Sequence, residues 1–181
     1  ISLGLVGSEM CIRDRNTTGV LVTCKNDFAH SRIAAQLAVH DITRKYNAIV
    51  WNPFSVESGT VDAPLARSRK DRKKVAIDQS GRRAVTHYRV LENFKQFAHV
   101  ECQLETGRTH QIRVHMSSIG HPLLGDDVYG SGKSPYNITG QALHARVLGF
   151  VHPRTGKYME FEAPLPDYFQ KILNDLESNG R

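Results

Sequence analysis

The chain has 181 residues, 40% of them hydrophobic and 8% aromatic, which is typical of one globular domain with a substantial core. Its formal net charge of +6 favours a polyanionic partner. No stretch approaches the roughly 20 apolar residues that cross a bilayer, and three scattered cysteines, Cys11, Cys24 and Cys102, have no zinc or disulfide spacing, which favours the cytoplasm.

Residues 1–15 differ in character from the rest of the chain and read ISLGLVGSEMCIRDR. The part LVGSEMCIRDR resembles the translation of a transposon adapter from sequencing libraries, so we expect residues 1–15 to be a non-native, adapter-derived segment. The alternative is a signal peptide, but Glu9, Arg13 and Asp14 interrupt any apolar core. The segment contains two basic and two acidic residues, so setting it aside leaves the net charge unchanged.

The first half of the chain contains strand-like and helix-like patterns in turn. In chain order these patterns predict a buried strand at 19–25, a helix at 28–40 that Asp27 is placed to cap, a strand at 42–51 and a short strand near 59–61. The wider stretch 55–80 has no clear periodicity. It concentrates basic residues instead, namely Arg67, Arg69, Lys70, Arg72, Lys73 and Lys74.

The second half contains longer and clearer patterns. They predict adjacent strands at 84–94 and 98–105, a helix at 109–119, strands at 141–151 and 157–162, and a helix at 166–176. Gly120 is placed to end the first of these helices, and Pro122 prevents its continuation. The mixed order of elements, with many non-local strands, predicts an α+β fold.

The most informative segment is 104–115, which reads LETGRTHQIRVH and is followed at 120–130 by GHPLLGDDVYG. It holds Arg108, His110, Gln111, Arg113 and His115, a density of polar groups that is too high for ordinary core. Such a segment suits a surface that grips an anionic polymer while it orients one acidic group.

A metal site is the alternative interpretation of the histidines in this segment. His110, His115 and His121 lie near Asp126, but they are five and six residues apart and no cysteine joins them. The i, i+4 spacing that places two ligands on one helical face is missing. We therefore expect no metal, and we expect the histidines to shape a loop by hydrogen bonding or to contact a polymer backbone.

These motifs closely resemble the signature of the RluA-type RNA pseudouridine synthases. Further matching pieces keep the order and spacing of the family: GTVDAPL at 59–65, GRRAVTHY at 81–88, QALHA at 141–145, HPRTG at 152–156 and APLP at 163–166. The resemblance implies a catalytic domain over 16–181, truncated at its N-terminus, with a mixed and mostly antiparallel central sheet flanked by helices. It also implies isomerisation of uridine in structured RNA without cofactor or metal, and it is greatest for the branch that modifies large-subunit ribosomal RNA.

The family carries a catalytic aspartate in a motif of the form His-Arg-Leu-Asp-x-x-Thr-Ser/Thr-Gly. This chain reads CIRDRNTTG at 11–19, so Asp14, Thr17, Thr18 and Gly19 match, while residues 11–13 do not. The mismatch falls where the adapter-like text ends, so an adapter origin of residues 1–15 means that Asp14 restores the family's aspartate by coincidence of the adapter's coding. The resemblance implies that Asp14 acts as a nucleophile or stabilises a glycal-type intermediate, and the alternative is that it merely occupies a truncated end.

Two arginines are candidates to keep that carboxylate ionised. Arg113 matches the arginine that similar enzymes pair with the aspartate, and Arg108 is the alternative, although a phosphate contact would suit it equally. Tyr46, within RKYNAIV at 44–50, matches a family strand tyrosine that lies against the target base. Its alternative role is half-buried packing.

The remaining candidates are expected to contact RNA rather than to take part in the chemistry. They are Lys45, Arg67, Lys73, Lys74, Arg82, Arg108, His110 and Gln111. The alternative for the basic stretch is a solvated charge run. The expected partner is ribosomal RNA, with tRNA as the alternative, for a monomeric cytoplasmic enzyme without membrane contact. The competing functions are a non-catalytic RNA-binding paralogue or inactive fragment of the same fold and, less favoured, a metal-dependent hydrolase.

Overall fold

The computed structural model describes residues 14, 16–69, 71 and 74–179. Within these residues the chain forms nine strands and three helices. The strands are β1 (Thr18–Gly19), β2 (Thr43–Trp51), β3 (Ser58–Asp62), β4 (Leu65–Arg67), β5 (Val75–Ile77), β6 (Val85–Asn93), β7 (Phe97–Leu104), β8 (Leu143–Val151) and β9 (Tyr158–Glu162). The helices are α1 (Asp27–Ala38), α2 (Gln111–Ser118) and α3 (Asp167–Asn179).

Seven of the described strands form one sheet in the order β1-β8-β2-β7-β6-β3, and β9 also pairs with β8. β1 runs parallel to β8, and the other pairs in the sheet are antiparallel. β4 and β5 form a separate two-stranded hairpin. The prediction of an α+β fold with a mixed, mostly antiparallel sheet is therefore confirmed.

Strand β2 is apolar on both faces at residues 48–50, because helices cover both sides of the sheet there. Ala48 and Val50 of β2 pack with Ile112 of α2, whereas Ile49 packs on the opposite face with Phe169 of α3. This follows from the alternation of side chains along a strand. Among the described helices, none is both long enough and apolar enough to span a membrane.

Two predictions at the start of the chain were wrong in detail. The strand expected at 19–25 is only Thr18–Gly19, because β1 pairs with the first part of β8 and β9 occupies the same edge from residue 147 onward. After Val20, whose N–H donates to the Ala145 carbonyl of β8 at 2.9 Å, the chain leaves this edge. Helix α1 is capped by Asn26 rather than Asp27, since the Asn26 side chain accepts the Ala29 N–H at 2.9 Å.

The basic stretch without periodicity contains the hairpin of β4 and β5, which the sequence did not predict. Each strand has three residues, and the pairing joins Leu65 to Ile77 and Arg67 to Val75. Three residues are too few to establish an alternating pattern. The short strand expected near 59–61 is confirmed as β3.

His99 provides a test of the packing beneath α3. Its ring lies edge-on to Phe169 with centroids 5.8 Å apart, and its Nε2 lies 3.1 Å from the Asn47 side-chain nitrogen. Burial lowers the pKa of His99 from 6.5 to about 4. Protons therefore bind the unfolded state first, so the free energy of unfolding should fall as the pH drops from about 6.5 towards 4.

We expect His99 to account for about 2 kcal/mol of the stability lost between pH 7 and pH 4.5. Urea unfolding at both pH values should show a smaller loss in His99→Gln, which cannot titrate. An equally steep loss in that variant would contradict the assignment.

Candidate active site

A cleft opens where β2, β8, the start of α2 and the segment around β1 meet. Its walls are mostly apolar and include Val20, Leu143 and Ala145. Its polar lining includes Asp14, Arg44, Tyr46, Arg108, His110 and Gln111. Five of the residues singled out from the sequence thus line one cleft.

The parallel pairing of β1 with β8 brings Asp14 to this cleft. Gly19 lies opposite Ala145 with φ 115°, and any side chain at this position would overlap the Ala145 backbone. The Gln141 side-chain amide donates to Thr17 Oγ1 at 3.0 Å and lies 3.2 Å from Asp14 Oδ1. The Thr17 and Gly19 positions of the matched motif therefore hold the segment that presents Asp14.

Asp14 forms an ion pair with Arg113 at the base of the cleft. Arg113 Nη1 donates to Asp14 Oδ1 at 2.6 Å. The Arg113 residue is only 4% exposed. Burial disfavours its charge, but hydrogen bonds to Asp126 and the charge of Asp14 raise the guanidinium pKa above its ordinary value. The structure thus pairs the aspartate with Arg113, the first of the two candidate arginines.

Asp126 is a second carboxylate that grips the same guanidinium. It accepts from Arg113 Nε and Nη2, each at 2.7 Å, in a bidentate pair. Its Oδ1 also accepts the backbone N–H groups of Val128 and Tyr129, each at 2.9 Å. The sequence interpretation considered Asp126 only beside the histidines, and it missed this arrangement.

Tyr129 is another residue that sequence reasoning missed. Its hydroxyl accepts the Val75 N–H at 2.9 Å and lies 2.8 Å from His110 Nδ1. The second ring nitrogen of His110, Nε2, lies 3.8 Å from Asp14 Oδ1. His110 adopts a left-handed conformation, with φ 55°, directly before α2. Its ring is thereby held between Tyr129 and Asp14.

Strand β2 contributes Tyr46 and Arg44 to the cleft. Tyr46 is 9% exposed and packs within the core cluster on this face of the sheet. Arg44, which the sequence did not single out as a site residue, donates from Nη2 to the Glu105 carbonyl at 2.8 Å. Strand alternation directs Lys45 to the opposite face. Its proposed contact with RNA would therefore have to lie outside the cleft.

The side chain of Gln111 is engaged within the fold. Its Oε1 accepts from Thr106 Oγ1 at 2.8 Å and from the Arg108 N–H at 2.9 Å. Its Nε2 donates to the Val85 carbonyl at 2.9 Å and lies 3.0 Å from Thr86 Oγ1. With the residue 2% exposed, this geometry favours positioning of the Gly-Arg-Thr turn over direct contact with RNA.

The other two histidines of the metal alternative point elsewhere. His115 is buried between Thr86 Oγ1 and the Ala63 carbonyl, each 2.9 Å from a ring nitrogen. His121 stacks on Phe54 with centroids 3.6 Å apart. Among the residues that the structure describes, no three potential metal ligands converge.

A basic groove of about 460 Å³ adjoins the cleft, between the β4–β5 hairpin and the turn at 107–109. It is lined by Arg67, Arg82 and Arg108, and Arg108 also lines the cleft. Burial, together with the charge of Arg82, lowers the pKa of Arg108. An anion between these arginines would relieve their mutual repulsion.

Two lysines of the basic stretch, Lys73 and Lys74, were also expected to contact RNA. Lys74 donates from Nζ to the Val128 carbonyl at 3.1 Å, which ties it to the loop that carries Asp126. Lys73 lies outside the described residues.

Comparison with known proteins shows which family and which fold this chain is similar to. The family model for RNA pseudouridylate synthase matches residues 13–118. A Bacillus subtilis protein named uncharacterized RNA pseudouridine synthase YlyB is 53% identical over 167 residues, covering 92% of this chain and 55% of the relative. Ribosomal large subunit pseudouridine synthase D of Zymomonas mobilis is 50% identical over 177 residues, covering 93% and 56%. The chain thus spans about half the length of these relatives.

A solved structure extends this comparison to the fold. The human RNA pseudouridylate synthase domain containing 4 protein superposes with a TM-score of 0.69 at 26% identity, covering 87% of this chain and 70% of that one. The fold of the described residues is thus similar to that of a pseudouridylate synthase domain.

Gln111→Ala should lower the free energy of unfolding by about 2–4 kcal/mol, because several buried hydrogen-bonding groups lose their partner. Chemical denaturation measures this loss. Gln170→Ala, at an exposed position of α3, is the matched control and should change stability by less than about 0.5 kcal/mol. A Gln111 variant of unchanged stability but weakened RNA binding would instead support direct contact.

Proposed function

The chain belongs to the RNA pseudouridylate synthase family, and we propose that it isomerises uridine to pseudouridine within structured RNA, with Asp14 as the reacting carboxylate. The observation that carries this proposal is the contact of 2.6 Å between Asp14 Oδ1 and Arg113 Nη1 beside the apolar cleft. A carboxylate reacts poorly unless it is ionised, fixed in place and shielded from water. The Asp14 side chain is fixed in place by Arg113 and Gln141, and it is shielded from water because it is only 12% exposed.

The reaction breaks the bond between C1′ and N1 of uridine, rotates the base and joins C1′ to C5. C5 loses its proton and N1 gains one, so the product is an isomer of the substrate and the reaction needs no redox cofactor and no metal. In the proposal, Asp14 either attacks C1′ or stabilises a glycal-type intermediate. Tyr46 lines the same cleft, where its ring would stack on uracil and its hydroxyl would exchange a proton with the sugar or base.

The proposed substrate is a uridine in an unpaired or weakly paired region of RNA. The base must leave its stack to enter the cleft, and this costs a few kcal/mol, least where pairing is weak. The names of the Zymomonas mobilis and Haemophilus influenzae relatives favour large-subunit ribosomal RNA as the source. We further propose that the enzyme acts as a monomer in the cytoplasm.

The basic groove is the proposed site for the phosphates next to the target uridine. Arg108 lines both the groove and the cleft, so a strand that follows the groove would bring its base to Asp14. Arginine binds phosphate through two parallel hydrogen bonds, and such contacts position an RNA without reading its sequence.

Asp14→Asn should abolish turnover while leaving RNA affinity nearly unchanged, because phosphate contacts dominate affinity. Release of tritium from ribosomal RNA labelled at uracil C5 measures turnover, and we expect a loss of at least about 1000-fold. Asp127→Asn removes the same charge from an exposed neighbour of Asp126 and should retain activity. Binding without turnover in the unsubstituted chain would favour the non-catalytic RNA-binding alternative.

Arg67→Ala/Arg82→Ala should weaken RNA binding and flatten its salt dependence. The slope of log affinity against log salt concentration should become shallower by about 0.7–0.9 for each phosphate that the variant no longer binds. Filter binding at several salt concentrations measures it. Arg32→Ala/Arg154→Ala, at exposed positions away from the groove, removes the same charge and should leave the slope nearly unaltered. Equal slopes for the two double variants would rule out the groove.

A further inference from the structure

We propose that Asp126 is a positioning residue for the isomerisation: it aims Arg113 at Asp14 and offsets the charge that Arg113 presents to it. The inference rests on the proposed function, because it assigns a role within the same site. Asp126 contacts no substrate in this proposal. It acts through the guanidinium that it holds.

The geometry of the guanidinium supports an aiming role. Two of its nitrogens, Nε and Nη2, are taken by the two oxygens of Asp126 at 2.7 Å each. A bidentate pair fixes both the position and the plane of the guanidinium. The third nitrogen, Nη1, then lies 2.6 Å from Asp14 Oδ1. One carboxylate thus sets the direction of the hydrogen bond that the other receives.

Asp126 is itself fixed by the chain around it. The residue is 1% exposed, and its Oδ1 accepts the N–H groups of Val128 and Tyr129. The Tyr129 ring lies against the guanidinium, 5.1 Å from Arg113 Cζ. Burial opposes the charge of Asp126, but the hydrogen bonds from Arg113 and Tyr129 lower its pKa below the ordinary value. The group that aims Arg113 is therefore a rigid anion.

The charges of Asp14, Arg113 and Asp126 support the proposal that Asp126 offsets the charge of Arg113. One guanidinium serves two carboxylates, so the three side chains carry a net charge of about −1 when all are ionised. If Arg113 were paired with Asp14 alone, its full positive charge would hold Asp14 firmly but would also withdraw electron density from the carboxylate. Because Asp126 neutralises much of that cation, Asp14 is oriented while it keeps its reactivity.

Fold stability alone does not account for this arrangement. Replacing a buried ion pair with apolar groups is often neutral or stabilising, so such a pair is weak support for a purely structural role. The cluster also extends to Asp14, which lines the cleft. Its geometry serves the carboxylate at the site as well as the surrounding core.

The test compares Asp126→Asn with the unsubstituted chain. Asparagine keeps the shape and an acceptor for the Val128 and Tyr129 N–H groups, but it loses the charge and turns a donor or a weaker acceptor towards Arg113. We expect kcat to fall about 10–100-fold with KM for RNA changed less than about twofold. We also expect the acidic side of the pH–activity profile to move to lower pH, because the full positive charge of Arg113 then faces the ionisable groups at the site, Asp14 and His110, whose Nε2 lies 3.8 Å from Asp14 Oδ1. An unchanged kcat and profile would overturn the proposal.

Asp126→Glu separates geometry from charge, and it provides a second variant should Asp126→Asn fail to fold. It retains the negative charge on a longer side chain that displaces the guanidinium. We expect kcat to fall while the pH–activity profile stays in place. A shift of the profile like that of Asp126→Asn would overturn the charge argument.

A readout independent of activity distinguishes failure of this inference from failure of the proposed function. Exchange of the Arg113 Nε–H with water, followed by NMR, should be slow in the unsubstituted chain and at least about tenfold faster in Asp126→Asn. Asp14→Asn is the matched control and should leave this exchange slow, because Asp14 contacts Nη1 instead. Equal exchange in the two variants would overturn the inference that Asp126 holds Arg113, whether or not the chain turns over RNA.

Discussion

The guanidinium of Arg113 joins three parts of the chain that are distant in sequence. It lies on α2, it contacts Asp14 across 99 positions of sequence, and it grips Asp126 in the loop that follows α2. A buried arginine without partners would carry a large desolvation cost, so its position is tenable only with carboxylates around it. The parallel pairing of β1 with β8 and the placement of α2 against the sheet both serve to bring these partners together.

Charge is distributed unevenly between the inner cleft and the outer groove. The cleft combines apolar walls with the Asp14 carboxylate and two arginines, Arg44 and Arg108, whereas the groove is lined by three arginines, one of which is Arg108. A phosphate is therefore attracted most strongly to the groove, while an uncharged base can enter between the apolar walls of the cleft. This separation favours an RNA strand that lies outside with one base turned inward.

The sequence predicted those features that local patterns specify. The long strands β2, β6 and β7 and helix α2 have clear periodicity, and the structure confirms them near the expected bounds. The run after Gly19 failed as a strand because β9 takes the remaining edge of β8, a non-local competition that no local pattern reveals. The family resemblance, rather than periodicity, suggested the pairing of Asp14 with Arg113.

The site residues that sequence reasoning missed do not stand out from their neighbours in the amino-acid sequence. Asp126 and Asp127 are adjacent aspartates in the same motif, yet the first is 1% exposed and the second lies at the surface. Only the packing of the loop against α2 distinguishes them. Gln111 stands between His110 and Arg113 in sequence, but the helix turns its side chain towards Thr106 and the core, which the sequence also does not reveal.

Tyr129 connects the outer groove to the inner cluster. Its hydroxyl accepts the N–H of Val75, a residue of the groove wall, and lies beside His110 at the cleft. Its ring packs against Arg113, and its own N–H binds Asp126. These contacts use the hydroxyl, the ring and the backbone N–H of one residue, so they fix the distance between the hairpin and the carboxylates around Arg113. In the proposed complex, a phosphate seated in the groove would therefore stand at a set distance from Asp14, and the base beside it would reach the carboxylate without rearrangement of the core.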